Sequence, residues 1–91
     1  EAYKTLGNTY LGLESYVQAA DAFSKALNFS EGDRKKAHLG FLLGDAYQKG
    51  NIIKKAKEAF EQVSANDDSV WARLARQRLT TLELSEIIIN S

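Results

Sequence analysis

The sequence predicts an all-α protein of about five helices, built as a duplicated helical hairpin followed by one further helix. Apolar residues recur at steps of three and four along most of the 91 residues, and no segment alternates with the period of two typical of a strand. Shifting the chain by 37 residues also aligns six identical pairs without a gap, which indicates an internal duplication. The pairs are Leu6/Leu43, Gly7/Gly44, Tyr10/Tyr47, Ala19/Ala56, Ala22/Ala59 and Phe23/Phe60.

The first hairpin is predicted from two apolar stripes separated by a turn. The stripe of the first helix consists of Ala2, Tyr3, Leu6, Gly7, Tyr10 and Leu13. The run Gly12 to Ser15 interrupts it, and Ser15 with Gln18 has the spacing of a capping box that would start the second helix. Residues 28–33, which include Gly32, form the connection to the second hairpin.

The second hairpin and the final helix follow from the same kind of signal. Asp33 is a plausible N-cap for a third helix over about 34–49, and Gly50-Asn51 is a turn pair before the fourth helix. The run Asp67 to Ser69 offers N-cap chemistry for a fifth helix that ends near residue 89. Because the glycines and Ala19 and Ala56 are small, we expect the two helices of each hairpin to approach closely, with Gly44 facing Ala56.

Composition excludes several classes of protein. Lys plus Arg equals Asp plus Glu at 12 each, so the net charge gives no reason to expect a nucleic-acid partner. There is no cysteine and no apolar run of the roughly 20 residues that span a bilayer, so we expect a soluble protein, with cytoplasm and periplasm both open. The chain begins within a helical pattern at Glu1-Ala2-Tyr3, which we interpret as a piece of a longer protein.

The repeated residues resemble the tetratricopeptide repeat, whose signature is an aromatic residue, Leu-Gly, Tyr, and then Ala and Phe four apart. The first copy is Tyr3-x2-Leu6-Gly7-x2-Tyr10 with Ala19-x3-Phe23, and the second is Leu43-Gly44-x2-Tyr47 with Ala56-x3-Phe60. The resemblance implies a single domain, a right-handed superhelical stack of antiparallel hairpins, or α-solenoid. Its units are repeat 1 at about 1–33, repeat 2 at about 34–67 and a terminal or capping helix at about 68–89.

The sequence departs from the family pattern at a few positions, which change the expected packing between repeats but not the resemblance itself. Gly40 stands where the second unit's aromatic is usual, and Glu14 stands where the first unit's turn glycine is usual. The 37-residue offset exceeds the family's 34, which places about three extra residues in the connection at 28–33.

Candidate catalytic chemistry is sparse. His38, the single histidine, has Asp45 seven residues on, which is too thin a set for a metal or an acid–base pair. The runs 34–36 and 54–57 are basic but are not interleaved with aromatic residues as in nucleic-acid binding. We therefore expect neither an enzyme nor a bound cofactor.

The resemblance also implies where a ligand would bind, since in this family ligands occupy the concave groove lined by the first helix of each hairpin. The corresponding residues here are Lys4, Asn8, Leu11, His38, Phe41, Asp45, Gln48 and Lys49. Lys4 and Asn8 match residues with which some co-chaperone members hold a C-terminal carboxylate, but Leu42 and Asp45 leave that clamp incomplete.

The expected function is a non-catalytic protein–protein interaction module that binds a peptide or a partner helix in this groove. The alternative is a structural scaffold or self-association segment of a longer repeat protein. Leu84 and Ile87 to Ile89 cannot all lie on one helix face, so a homodimer through the C-terminal helix is part of that alternative.

Overall fold

In a computed structural model, residues 2–65 and 70–90 are described, without the side chains of Asp33, Ile89 and Asn90. These ranges contain five helices and no strand, which confirms the all-α prediction and the number of helices. The helices are α1 (Ala2–Gly12), α2 (Tyr16–Asn28), α3 (Asp33–Lys49), α4 (Ile53–Ser64) and α5 (Val70–Asn90).

The helices pack in chain order. Each helix contacts the next one along the chain, and α5 also reaches back to α3. The molecule measures 43 × 31 × 16 Å along its principal axes, so it is a slab rather than a sphere. None of the helices in the described ranges has both the length and the apolar character needed to cross a membrane.

Within each hairpin the helices meet at a glycine that lies against a phenylalanine ring. A Cβ atom placed on Gly7 would lie 2.6 Å from the ring of Phe23, and one on Gly44 would lie 2.6 Å from the ring of Phe60. The three atoms nearest to a Cβ on Gly44 all belong to Phe60, because the missing Cβ leaves room for a flat ring. The expectation that Gly44 faces Ala56 stays a prediction.

The turn inside each hairpin is the same down to its hydrogen bonds. Glu14 has φ 60° and Asn51 has φ 63°, so both are left-handed. The N–H of Ser15 donates to the carbonyl of Tyr10 at 2.9 Å, and the N–H of Ile52 donates to that of Tyr47 at 2.8 Å. Together with the bonds from Glu14 to Leu11 and from Asn51 to Gln48, this is the Schellman ending of a helix. Glu14 therefore takes the conformation of the turn glycine that it replaces.

The predicted helix caps are only partly correct. Ser15 is the N-cap of α2, but its side chain makes no capping hydrogen bond, so the capping box does not form. Asp33 is the first residue of α3 and the N-cap is Gly32, with φ 95°. The predicted cap at Asp67 to Ser69 lies outside the described residues. Ser15 needs no capping hydrogen bond because the Schellman turn already sets the start of α2.

The core consists of two clusters that meet at Tyr47. The first cluster lies between α2 and α3 and is centred on Phe23, and the second lies between α3, α4 and α5 and is centred on Phe60. Tyr47 packs against both. Since Tyr47 is on α3, this helix is the shared wall of the two halves of the molecule.

The glycine–phenylalanine contact gives a first testable prediction. Gly44→Ala should lower the free energy of unfolding by about 1–3 kcal/mol, because the new methyl group cannot fit unless the Phe60 ring moves. Thermal or urea unfolding measures the change. Gly12→Ala is the matched control, since a Cβ there would have no neighbour within 4 Å. An unfolding curve of Gly44→Ala that overlays the wild-type curve would contradict the close contact.

Candidate functional site

Trp71, at the start of α5, covers part of the predicted groove on α3. Its ring stacks on His38 with a centroid distance of 4.2 Å and an interplanar angle of 15°, and it lies 5.6 Å from the ring of Phe41. Phe41 also packs against Phe60, at 5.5 Å. These two predicted groove residues are therefore half-buried aromatic contacts that attach α5 to α3.

Arg78 lies about two turns after Trp71 on the same side of α5, and it binds two more of the predicted residues, Asp45 and Gln48. Its Nη1 donates to Asp45 Oδ1 at 2.8 Å and to Gln48 Oε1 at 2.9 Å. Lys49 Nζ lies 3.1 Å from the other oxygen of Asp45. Among the described residues, Asp45 is the charged one that is buried, and the two cations balance its charge inside the protein. A ligand at this place would have to displace Arg78.

The guanidinium of Arg78 also lies over aromatic rings. Its central carbon is 5.0 Å from the centroid of the Phe41 ring and 5.9 Å from that of Phe60. A cation over an aromatic face is attracted by the ring quadrupole. Arg78 therefore connects α5 to both the polar and the aromatic side chains of α3 and α4.

Between α1 and α3 the molecule is open, and a cleft of about 360 Å³ lies there. Two of the predicted groove residues, Lys4 from α1 and His38 from α3, line it together. The other lining residues are Ala26, Phe29, Ser30, Glu31, Lys35 and Leu39. The cleft thus combines two buried apolar side chains, Ala26 and Leu39, with two ammonium groups and the carboxylate of Glu31.

Phe29 and Lys35 are lining residues that the sequence reasoning missed. Phe29 follows α2 directly, is strongly exposed, and lies parallel to the Tyr3 ring at a centroid distance of 6.0 Å. Lys35 is in the first turn of α3. Two features of the sequence could have indicated them. Phe29 lies in the longer connection at 28–33, and Lys35 lies in a basic run at a helix start, where the helix dipole disfavours positive charge.

The remaining predicted residues have separate positions. Asn8 is exposed on α1, and Leu11 packs against the first core cluster. Lys49 is exposed at the end of α3, beside Asp45. The structure therefore places Lys4 and His38 in one cleft, joins Phe41, Asp45 and Gln48 to α5, and leaves Asn8 exposed.

The electrostatics of the cleft act on His38. Partial burial of the imidazole, and then the positive charge of Lys4, lower the pKa of His38 from its ordinary value of 6.5. Both effects disfavour the imidazolium ion. At neutral pH His38 is therefore a neutral ring that can donate or accept a hydrogen bond, while Lys4 and Lys35 carry the positive charge.

Comparison with protein-family models, with curated proteins and with solved structures finds no match to this chain.

The contacts of Arg78 give a second prediction. Arg78→Ala should lower the free energy of unfolding by about 1–3 kcal/mol, because it removes hydrogen bonds to Asp45 and Gln48 and leaves a largely buried carboxylate with Lys49 alone. Chemical denaturation measures the change. Arg73→Ala, an exposed arginine on the same helix, is the control and should change stability by less than about 0.5 kcal/mol. If both substitutions lowered the free energy of unfolding equally, the stabilising role of the Arg78 contacts would be contradicted.

A third prediction concerns the pH dependence of His38. The unfolded chain binds a proton near pH 6.5 and the folded protein at a lower pH, so stability should fall as the pH drops below about 6.5. The loss should level off below the folded-state pKa. NMR titration of the imidazole measures that pKa directly, and the value should rise part of the way towards 6.5 in Lys4→Gln.

His38→Phe keeps an aromatic ring against Trp71 and is the control for the stability measurement. The loss of stability as the pH drops below about 6.5 should be smaller in this variant, because it lacks the titrating imidazole. A His38 pKa at or above 6.5 in the folded protein would contradict the prediction.

Proposed function

We propose that this chain is a non-catalytic protein–protein interaction module that binds a peptide or a partner helix. We further propose that its hairpins stack in the right-handed superhelical manner of tetratricopeptide repeats, which the chain resembles in sequence. The duplicated turn and the duplicated glycine–phenylalanine contact support this, since both recur at a 37-residue offset. The ligand site is the cleft between α1 and α3, at the open part of the predicted groove.

The main support for the proposal is that the predicted groove surface of α3 is covered on the side of α5 and open on the side of α1. Next to α5, Trp71 and Arg78 already occupy that face. Next to α1 the face is open, and Lys4 and His38 line a cleft there. Among the described side chains, Lys4 and Lys35 form no ion pair, so a partner carboxylate can enter this cleft without displacing one.

The chemistry of the cleft selects the kind of ligand. Lys4 and Lys35 attract a carboxylate, and Ala26, Leu39 and the exposed Phe29 ring favour an apolar side chain. At about 360 Å³ the cleft is at the small end of the range for ligand pockets. This volume suits one or two side chains of a longer segment. We infer an acidic residue with an apolar neighbour as the recognised element.

Hydrogen bonding in the cleft supports a binding role over a catalytic one. The Ser30 hydroxyl, which a base would have to activate for nucleophilic catalysis, donates to the carbonyl of Ala26 at 2.8 Å. The His38 ring stacks against Trp71, which restricts its movement towards a substrate. A structural role through self-association is the second candidate, favoured by the exposed Leu84 and Ile87 on α5.

A peptide-display selection tests the proposal. Immobilised protein should enrich peptides that carry an acidic residue beside an apolar one, and fluorescence anisotropy then gives their Kd values. The double variant Lys4→Glu/Lys35→Glu should raise Kd at least about tenfold, because each charge-assisted hydrogen bond contributes about 1.5–3 kcal/mol.

The control variant, Lys54→Glu/Arg73→Glu, changes the net charge equally at exposed positions outside the cleft. It should leave Kd within about twofold, because exposed charges outside the cleft are screened by water and salt. If no peptide is enriched, or if both double variants weaken binding equally, the cleft is not the binding site.

A further inference from the structure

A second pocket, here called the Gly40 pocket, lies between Leu27 of α2, Gly40 of α3 and Val63 of α4. Its volume is about 330 Å³. The described lining residues belong to α2, α3 and α4, which are the three inner helices of the array, and none of them lines the peptide cleft. A ligand in the Gly40 pocket therefore contacts a different part of α3 from a ligand in the cleft.

The internal duplication explains why there is space at this place. Gly40 and Val63 line the pocket, and the corresponding residues of the first hairpin are Tyr3 and Ala26. Tyrosine and alanine together are larger than glycine and valine. The second hairpin therefore has less side-chain volume at this pair of positions, and it lacks the aromatic ring that the first hairpin has.

The position of the Tyr3 ring shows which region of the second hairpin is left unfilled. Lys25 Nζ lies 5.8 Å from the centroid of the Tyr3 ring, so the ring lies beside α2 at that residue. The counterpart of Lys25 in the second hairpin is Gln62, which lines the Gly40 pocket. The pocket thus corresponds to the region in which the first hairpin holds a tyrosine ring.

The apolar lining of the Gly40 pocket suits a flat group. Ala37, Gly40 and Ala59 are buried and small, so they form a wall without projecting side chains. The larger apolar side chains of the lining are Leu27, Leu43 and Val63. A planar ring makes close contact with such a wall over most of its area. The volume is at the small end of the range for ligand pockets, which suits one ring rather than a fused ring system.

The polar groups of the pocket favour an anion. They are the exposed side chains of Asn28 on α2, Lys36 on α3 and Gln62 on α4, and no described carboxylate lines the pocket with them. Among the described side chains Lys36 forms no ion pair, so its ammonium group can bind a carboxylate. Lys36 also lies in the first turn of α3, where the helix dipole favours a negative group.

We propose that the Gly40 pocket binds a small aromatic acid, in which a single ring carries a carboxylate on a short side chain. The ring lies against Ala37, Gly40 and Ala59, in the region that corresponds to the Tyr3 ring, and the carboxylate pairs with Lys36. This site is additional to the peptide cleft, and neither site requires the other.

Titration of the full chain with phenylacetate, followed in amide NMR spectra, tests the proposal. Phenylacetate should shift the signals of Ala37, Gly40 and Ala59 in a saturable way, with a Kd in the millimolar range expected for a ligand of this size. Two further probes separate the contributions. Phenylacetamide has the ring without the charge, and acetate has the charge without the ring, so each should bind at least about threefold more weakly.

A double variant that copies the first hairpin should abolish binding. A Cβ on Gly40 would lie 2.6 Å from Val63 Cγ2, and Val63→Ala removes that atom. Gly40→Tyr/Val63→Ala should therefore fold, since Tyr3 and Ala26 already form this pair in the first hairpin. Its tyrosine ring would occupy the pocket and exclude phenylacetate. Circular dichroism checks that the helices persist.

A second variant, Lys36→Gln, removes only the charge, at an exposed position. It should raise the Kd of phenylacetate at least about threefold and leave that of phenylacetamide unchanged, because the amide carries no charge for Lys36 to bind. Lys54→Gln, which is exposed on α4 outside the pocket, is the matched control and should change neither value.

Three results would overturn the proposal. The first is a titration without saturable shifts at the Gly40 pocket, including one in which only the cleft residues Lys35 and His38 respond. The second is equal affinity for phenylacetate and phenylacetamide. The third is binding that persists in the folded Gly40→Tyr/Val63→Ala variant. If that variant does not fold, an unchanged Kd in Lys36→Gln decides against the site. None of these results bears on the peptide cleft, whose own test changes Lys4 and Lys35.

Discussion

The contact between a backbone glycine and a phenylalanine ring sets the geometry of each hairpin. A Cβ atom at Gly7 or Gly44 would lie 2.6 Å from the opposing ring, a separation that folded proteins do not tolerate, so the two helices can pack this closely only because the side chain is absent. Phe23 and Phe60 are the largest fully buried side chains. Each ring fixes the distance between its two helices and also supplies the centre of a core cluster. The position of α1 relative to α3, and with it the width of the cleft, depends on the Gly7–Phe23 contact and on the packing of α2 against α3.

Both hairpins have this glycine–phenylalanine contact, but they differ at a neighbouring pair of positions. In the second hairpin a third glycine, Gly40, lies against Val63, and a Cβ there would be 2.6 Å from Val63 Cγ2. At the corresponding positions the first hairpin has Tyr3 and Ala26, so the large and the small residue have changed places. Tyr and Ala together are larger than Gly and Val, so the exchange does not conserve volume. As a result the Tyr3 ring lies at the surface, where it stacks with Phe29 beside the cleft.

The sequence was sufficient to predict what depends on periodicity and on backbone chemistry. The three- and four-residue spacing predicted five helices, and Gly50-Asn51 and the run from Gly12 predicted the two turns. It could not predict that Trp71 and Arg78 would cover the groove face of α3, because that depends on the angle at which α5 returns to α3. Asp45 is an example. Its position on the helix predicts that it faces an open groove, but in the structure α5 places Arg78 beside it and the two form a buried ion pair.

The distribution of paired charges bears on the role of the cleft. Asp45 is held by Arg78 and Lys49, and Glu86 lies 2.8 Å from Lys57. These acidic groups stabilise contacts within or between helices on the α3–α5 side of the molecule. On the other side Lys4 and Lys35 share the cleft with one carboxylate, that of Glu31, so positive charge is in excess there although the chain as a whole is neutral. A local excess of one sign in a concave surface attracts the opposite charge from solution. An acidic segment of a partner gains from that field.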